Sequence, residues 1–214
     1  MSTTPRVLVV DDDGVMRAVL QRVFLDAGFR VEEFDSAGAL FGGADLRQPA
    51  VLLLDVKMPG VSGLELQAML NARGIDLPVM FLTGTSDIPV AVAAMRAGAV
   101  DFLEKPFVAA ELVRRVESAY RQTSGGAMPV HVQADDYAQR LQSLTPRERE
   151  VHDHMVTGMT SKLIAIELGG SFRTVEIHRA RVMAKMGAAH LADLVRMSYE
   201  AEGASPRPRP APHP

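Results

Sequence analysis

VLLLDVKMPG, the segment Val51–Gly60, decides how the chain folds. Four aliphatic residues lead directly into Asp55, and Pro59-Gly60 is typical of a turn. A short, continuous apolar run that ends at a turn predicts a strand buried on both faces, as in a parallel sheet. This strand therefore carries a carboxylate to the point where the chain leaves the core.

Composition restricts the classes of protein to which the chain can belong. It has 214 residues, of which 47% are hydrophobic, and a formal net charge of -3. This length suggests one large domain or two small ones. The absence of cysteine excludes disulfides, thiolate catalysis and cysteine-based zinc sites. No run of about 18 apolar residues is present, and the N-terminus lacks the profile of a signal peptide, so we expect no membrane span and a cytoplasmic location.

Strand-like and helix-like patterns alternate through a first module, residues 1–121. Near-continuous apolar strands, each followed by a helix, indicate an α/β fold with a parallel sheet covered on both faces. Ligands of such sheets bind at the carboxyl ends of the strands. The predicted strands are Arg6–Val10, Arg30–Phe34, Val51–Leu54, Val79–Leu82 and Val100–Leu103, and the predicted helices are Gly14–Ala27, Ser36–Phe41, Gly63–Ala72, Ile88–Ala97 and Val108–Tyr120.

The rest of the chain predicts a linker, an all-helical second module and a tail. Residues 122–143 contain Thr-Ser-Gly-Gly and a proline, which favour a flexible linker that ends in a short helix. Residues 201–214 are rich in proline and are expected to be disordered. The second module, residues 144–200, is predicted to contain four helices: Pro146–Thr157, Ser161–Leu168, Phe172–Met186 and His190–Tyr199.

Polar side chains follow four of the five predicted strands in the first module. Because the carboxyl ends of parallel strands meet at one edge, these side chains should converge. Clustered carboxylates repel unless a cation lies among them, and oxygen ligands suit Mg²⁺. A carboxylate there can attack a phosphoryl group whose oxygens a lysine and a hydroxyl hold. Alternatively, each aspartate is only a turn residue or a helix N-cap. The residues are Asp11, Asp12, Asp13, Asp55, Thr83, Glu104 and Lys105.

Helical geometry divides Phe172–Met186 into two faces. Val175, Val182 and Met186 share one face and are expected in the core. The preceding short helix and its tight turn make this a helix-turn-helix, whose second helix reads base edges through its N-terminal half. The alternative is that the exposed face is merely solvated. The candidate groove residues are Arg173, Glu176 and Ile177, with Ala180 and Arg181 on the same face, and the candidate phosphate contacts are Thr160, Ser161 and Lys162.

The segments VLVVDDD, LLLDVKMPGVSGLEL, FLTGTSD and AMRAGAVDFLEKPF resemble the receiver domain of two-component response regulators of the FixJ type. The resemblance covers about residues 5–121 and implies a flavodoxin-like (βα)5 fold with a five-stranded parallel sheet. It also implies a cis Lys105–Pro106 bond, and a dimer or effector contact through the helix Ile88–Ala97 and the strand and helix after it. The implied roles are Asp55 as phosphoacceptor, Asp11, Asp12, Asp55 and the Lys57 carbonyl around Mg²⁺, Thr83 and Lys105 on the phosphoryl group, and Phe102 as an aromatic switch that follows Thr83.

The segments LTPREREV, GMTSKLIAIEL, SFRTVEIHRARVMAKMGA and LADLVRM resemble the LuxR-type DNA-binding domain over about residues 144–199. Two residues depart from that family's pattern, because it expects Leu where His152 stands and Ile or Val where Gly170 stands. We expect both to be core positions, and His152 to fill part of the space that Gly170 leaves.

These observations predict a phosphorylation-dependent transcription regulator rather than an enzyme. An activator is favoured over a repressor only because activation is more common in the family that the chain resembles. A sensor histidine kinase would phosphorylate Asp55. The receiver would then form a homodimer or release its hold on the DNA-binding domain, and two helix-turn-helix units would bind double-stranded DNA and engage RNA polymerase. A Mg²⁺-dependent phosphohydrolase is a second hypothesis, but such enzymes usually have an aspartate where Lys57 stands. A DNA-binding protein that ignores phosphorylation is a third, and the full set of strand-end residues argues against it.

Overall fold

The computed structural model describes residues 4–84, 88–123 and 134–202. These residues form two compact units, one made of 4–84 with 97–123, the other of 88–96 with 134–202. Of the predicted linker, residues 124–133 lie outside the described residues, and so do residues 203–214 of the predicted tail. No described helix is long and apolar enough to cross a membrane.

A five-stranded sheet forms the centre of the first unit, with the strand order β2-β1-β3-β4-β5. Every neighbouring pair is parallel, which confirms the predicted α/β architecture. One apolar cluster joins β1, β3 and β4 to helices α1 and α5 and includes Phe24, Leu53 and Leu112. The strands are β1 (Arg6–Val10), β2 (Arg30–Phe34), β3 (Val51–Asp55), β4 (Val79–Thr83) and β5 (Asp101–Glu104), and the helices α1 (Gly14–Asp26), α2 (Ala37–Gly43), α3 (Gly63–Ala72) and α5 (Ala109–Thr123).

Three strands extend further toward the carboxyl edge than their apolar residues alone indicate. Asp55 pairs with Leu82, and Thr83 pairs with Glu104, so these polar residues belong to the ladder itself. Backbone pairing does not depend on whether a side chain is apolar, which is why the apolar pattern ended these strands one residue early. Asp55, Thr83 and Glu104 are thus held at fixed points of the edge.

The second unit is all-helical, with α4 (Ile88–Arg96), α6 (Ala134–Gln142), α7 (Pro146–Met155), α8 (Ser161–Glu167), α9 (Phe172–Met186) and α10 (Leu191–Ala201). Helix α4 belongs to this unit and packs against α10. Thr145 and Glu148 form the predicted capping box, and Gly187 ends α9 in the left-handed region with φ 67°. Helix α6 reaches the same end of α9, because Arg140 Nη1 donates to the Met186 carbonyl at 2.6 Å. The predicted buried face of α9, which holds Val175, Val182 and Met186, is confirmed.

The structure contradicts the expectation that His152 fills space left by Gly170. Gly170 is exposed, and a Cβ there would meet only Arg147 Nη2, at 3.5 Å. Arg147 Nη2 also donates to the Leu168 carbonyl at 2.6 Å, so the Arg147 guanidinium lies against the turn at Gly169-Gly170. The core assignment therefore fails for Gly170, because the chain leaves the core at Gly169-Gly170.

His152 is buried, at 3% exposure, and is satisfied by polar partners. Its Nε2 lies 3.0 Å from the Tyr137 hydroxyl, and its Nδ1 lies 2.9 Å from Asp153 Oδ1. Tyr137 is also hydrogen-bonded to Ser198, so the chain of contacts joins α6, α7 and α10. Burial lowers the pKa of His152, and the contact with Asp153 opposes part of this effect. The fold therefore favours the neutral imidazole.

Replacing Gly170 by alanine should stabilise the protein. Its φ is not in the left-handed region and its Cβ would have an ordinary contact, so the gain is a smaller unfolded-state entropy worth about 0.4–1 kcal/mol. Gly169→Ala is the matched control, because Gly169 has φ +61° and alanine there should destabilise by about 1 kcal/mol. Urea unfolding of the full chain measures both, and a Gly170→Ala variant no more stable than the parent would contradict the prediction.

Protonation of His152 should weaken the second unit. A folded-state pKa below the unfolded value of 6.5 means that stability is fully present above pH 6.5 and decreases as pH falls through that value toward the folded pKa. The local unfolding equilibrium should shift by up to about tenfold per pH unit. Amide hydrogen exchange of α7, corrected for intrinsic rates, measures this. His152→Leu should remove the dependence and His154→Gln should keep it; equal behaviour of the two variants would show that another group titrates.

Candidate functional site

A lysine ammonium lies between two carboxylates at the carboxyl edge of the sheet. Lys105 Nζ is 2.6 Å from Asp55 Oδ1 and 3.1 Å from Asp11 Oδ2. Asp11 follows β1, Asp55 ends β3 and Lys105 follows β5, so three strands bring the cluster together. The Lys105–Pro106 peptide is cis. The predicted convergence of these residues is therefore observed.

Burial and charge act in opposite directions on Asp55 and Lys105. Burial raises the pKa of Asp55, the hydrogen bond from Lys105 opposes this, and the nearby Asp11 charge adds to the rise, so the net pKa is raised. Burial lowers the pKa of Lys105, but its bond to Asp55 and the charges of both acids outweigh that and raise it. The residual repulsion between Asp11 and Asp55 is what an added cation would relieve.

The second oxygen of Asp55 is held by the backbone. The Lys57 N–H donates to Asp55 Oδ2 at 2.8 Å, while Lys105 binds Oδ1. Both oxygens therefore have fixed directions. This carboxylate is partly accessible, with 14% of its side chain exposed, so a small donor can reach it.

Thr83 and Phe102 lie on neighbouring strands and are both buried. Thr83 is 0% exposed and its hydroxyl donates to the Gly84 carbonyl at 3.2 Å, while Phe102 is 5% exposed. The Lys105 N–H donates to the Thr83 carbonyl at 2.7 Å, which ties the end of β4 to the segment that carries the ammonium. The Thr83 hydroxyl is thus buried, with its hydrogen directed to the chain just after β4.

The three aspartates in the turn between β1 and α1 differ in burial and in hydrogen bonding. Asp11 is 2% exposed, Asp12 is exposed, and Asp13 caps α1 by accepting from the Val15 N–H at 2.8 Å. Arg17 was not among the predicted site residues, yet its Nη1 donates to the Asp11 carbonyl at 2.7 Å. Only its place in the first turns of α1, facing back to the strand end, could have indicated this contact.

The donor set suits a metal that keeps several waters. Among the described residues, no three His, Cys, Asp or Glu side chains are placed so as to hold a metal ion. The carboxylates of Asp11 and Asp55 lie on either side of the Lys105 ammonium, and Asp12, the residue after Asp11, is exposed. Mg²⁺ is bound through one or two carboxylates plus waters and phosphate oxygens, so this set fits it.

Gly63 lets α3 start directly against the acceptor strand. A Cβ on Gly63 would overlap the Asp55 carbonyl oxygen and lie 2.9 Å from the Phe81 ring. The Gly63 N–H donates to the Val56 carbonyl at 3.1 Å, so the helix start is fixed to the chain just after Asp55. The sequence contains no signal for this requirement beyond a glycine at the start of a helix.

The second unit exposes all of the predicted groove residues. Ser171 caps α9 and Thr160 caps α8, which fixes the turn between the two helices. Lys162 is exposed at the start of α8, and the Ser161 hydroxyl donates to Glu176 Oε1 across the turn. The exposed residues of α9 include Arg173, Glu176, Ile177, Ala180 and Arg181.

Two family models match the chain. The response regulator receiver domain matches residues 7–117, and the bacterial regulatory proteins of the luxR family match residues 142–198. The chain is 43% identical over 201 residues to the transcriptional regulatory protein FixJ of Bradyrhizobium diazoefficiens, covering 94% of this chain and 98% of that protein. It belongs to the FixJ-type response regulators.

Other FixJ-type proteins support the same assignment. FixJ of Rhizobium meliloti is 42% identical over 190 residues, which cover 89% of this chain and 93% of that protein. The crystal structure of full-length FixJ from B. japonicum matches with a TM-score of 0.53 and 40% identity, covering 94% of this chain and 99% of that one. FixJ-type regulators are phosphorylation-dependent transcription regulators rather than enzymes, and the resemblance seen in the sequence is confirmed.

Gly63→Ala should impair the site by displacing the Asp55 backbone. We expect phosphorylation by acetyl phosphate to slow by about tenfold or more, since a shift of about 1 Å in a reacting group costs on the order of 100-fold. The measurement is the rate of phosphoprotein formation by mass spectrometry. Gly38→Ala in α2 is the control, because its Cβ meets nothing within 4 Å. Equal rates for the two variants would contradict the role of Gly63.

Proposed function

We propose that Asp55 is the phosphoacceptor of this regulator and that Lys105 and Thr83 hold the transferred group. The observation that carries this is the Lys105 ammonium bound to the partly accessible Asp55 carboxylate at the carboxyl edge of the sheet. Lys105 favours the ionised carboxylate that attack requires, and the Lys57 N–H orients its second oxygen. The donor is the phosphohistidine of a sensor histidine kinase.

The chemistry is a single phosphoryl transfer. A carboxylate oxygen of Asp55 bonds to phosphorus, the P–N bond of the phosphohistidine breaks, and the imidazole nitrogen keeps the electron pair. Lys105 then moves from the carboxylate oxygen to the new phosphoryl oxygens, and the Thr83 hydroxyl turns from the Gly84 carbonyl to donate to another. The protein's own contribution is orientation and charge stabilisation, as in other phosphoryl transfers.

Receiver domains bind Mg²⁺ for phosphorylation. We assign its protein ligands in this chain to Asp12, Asp55 and the Lys57 carbonyl, with Asp11 acting through water. When bound, the ion neutralises charge that develops on the phosphoryl oxygens. Asp11 and Asp12 bring the negative charge that the ion needs, and Arg17 fixes the turn that carries them.

The phosphoryl group is the signal for the second unit. It adds a charge of about -1.5 to -2 at the edge, which draws Thr83 and Lys105 inward and changes the packing beside Phe102. We propose that the phosphorylated protein forms a homodimer whose two helix-turn-helix units occupy adjacent half-sites on double-stranded DNA. Simultaneous binding of two half-sites raises affinity through effective concentration. Activation of RNA polymerase and a cytoplasmic location complete this proposal.

Asp55→Asn should abolish phosphorylation and the DNA response that depends on it. With acetyl phosphate and Mg²⁺, the parent chain should gain the mass of one phosphoryl group and bind its DNA about 100-fold more tightly, as expected for two linked sites. Asp26→Asn, which alters only an exposed ion pair with Arg22, should behave like the parent. Intact-mass spectrometry and footprinting measure the two effects.

Two results would separate the parts of this proposal. A modified Asp55→Asn chain would place the acceptor elsewhere. A parent chain that is phosphorylated on Asp55 but binds DNA equally well in both states would retain the acceptor and exclude phosphorylation control of binding.

A further inference from the structure

A side-chain contact joins the two helices of the helix-turn-helix at its exposed surface. The Ser161 hydroxyl, at the start of α8, donates to Glu176 Oε1 on α9, fifteen residues away. Arg179 Nε lies 3.7 Å from the same oxygen. Half of the Glu176 side chain is exposed, and Oε2 has no hydrogen-bond partner among the described residues. One carboxylate oxygen is therefore anchored while the other is presented to the surface.

This contact changes what Ser161 can do. A serine hydroxyl has one hydrogen to donate, and here that hydrogen is directed to Glu176. It is not available for a phosphate oxygen as long as the contact lasts. Thr160 differs, because its oxygen accepts from the Leu163 N–H and its own hydrogen stays available. Lys162, which is exposed, keeps the charge suited to the DNA backbone.

We infer that Ser161 is a positioning residue that holds the Glu176 carboxylate for reading a cytosine in the major groove. The inference rests on the proposed binding of α9 to DNA and names the base that one of its residues selects. An ionised carboxylate only accepts hydrogen bonds, and cytosine presents an N4 amino donor. Guanine presents only acceptors there and thymine presents O4 with a methyl group, while the adenine amino group lies beside the N7 acceptor. Of the four bases, cytosine therefore suits Oε2 best.

Anchoring matters because glutamate is flexible and negatively charged. Ser161 and Arg179 restrict its rotamers before binding, so less conformational entropy is lost when the base is contacted. A carboxylate near the DNA also repels the phosphates, which weakens binding wherever cytosine is absent. Glu176 thus discriminates both by accepting from the right base and by opposing the wrong ones.

The experiment is a selection of binding sites from random duplexes with the full chain, Mg²⁺ and acetyl phosphate. The parent should require cytosine at one position of each half-site, and changing it to thymine should weaken binding by about tenfold or more. Glu176→Gln should shift that position toward adenine, which glutamine binds through N6 and N7. Ser161→Ala should leave the selected sequence recognisable but reduce discrimination at that position to about threefold or less, a small part of what one base pair contributes. Ser161→Thr keeps a hydroxyl and should restore it.

Lys162→Ala is the matched control on the same helix turn. It should weaken binding to all sequences alike and reduce the slope of log affinity against log salt by about one, without changing the preferred base. Ser161→Ala should leave that slope unchanged. Thermal unfolding of each variant shows that the chains remain folded.

Three outcomes decide the matter. Unchanged discrimination in Ser161→Ala would overturn the positioning role. A uniform loss of affinity with a smaller salt slope would also overturn it and would assign Ser161 to the DNA backbone. A selected site that Glu176→Gln does not alter would overturn cytosine reading. If the parent chain selects no sequence at all, the proposed DNA-binding function itself fails, which is a different result from either of these.

Discussion

The ammonium of Lys105 between the carboxylates of Asp55 and Asp11 is the interaction on which the first unit's chemistry depends. Parallel strands bring their carboxyl ends to one edge, so acids placed there lie close together and repel. One cation, carried by the residue that follows β5, offsets that repulsion. In the phosphoryl transfer proposed above, the flexible side chain of this lysine lets its ammonium follow the negative charge from the carboxylate to the phosphoryl oxygens.

Much of this edge could be predicted from the sequence, because a strand's end is visible where its apolar run stops. Asp55 and Thr83 directly follow such a run, and Lys105 follows one after Glu104. The structure brings Asp55 and Lys105 into contact and buries Thr83 at the end of β4. Arg17 and Gly63 were not predicted, since the first acts through the reach of a long side chain and the second through the space that it leaves empty. Neither the reach of a side chain nor the space left by a glycine produces a periodic pattern in the sequence.

The second unit shows a different limit of sequence reasoning. The caps and the buried face of α9 follow local rules and were predictable, whereas Gly170 and His152 were judged by what a related sequence would carry there. That judgement assumes an unchanged core. Here the Arg147 guanidinium binds the Leu168 carbonyl beside the exposed Gly170 turn, and a hydrogen-bonded imidazole occupies the interior position where the resemblance implied leucine. The buried His152 is accommodated by hydrogen bonds rather than by apolar packing, and the hydrophobic periodicity of the sequence cannot show such hydrogen bonds.

Helix α6 lies almost entirely before residues 142–198, which match the luxR family, yet it contacts the C-terminal end of α9. Arg140 binds the Met186 carbonyl, and a side chain on Gly187 would overlap that guanidinium. Tyr137 adds its ring to the interior of the helical unit. A fragment that began at residue 142 would therefore lack the Arg140 partner of the Met186 carbonyl. It would also expose to water the apolar surface that Tyr137 covers. Residues of α6, which the sequence assigned to the linker, are therefore part of the packed interior of the second unit.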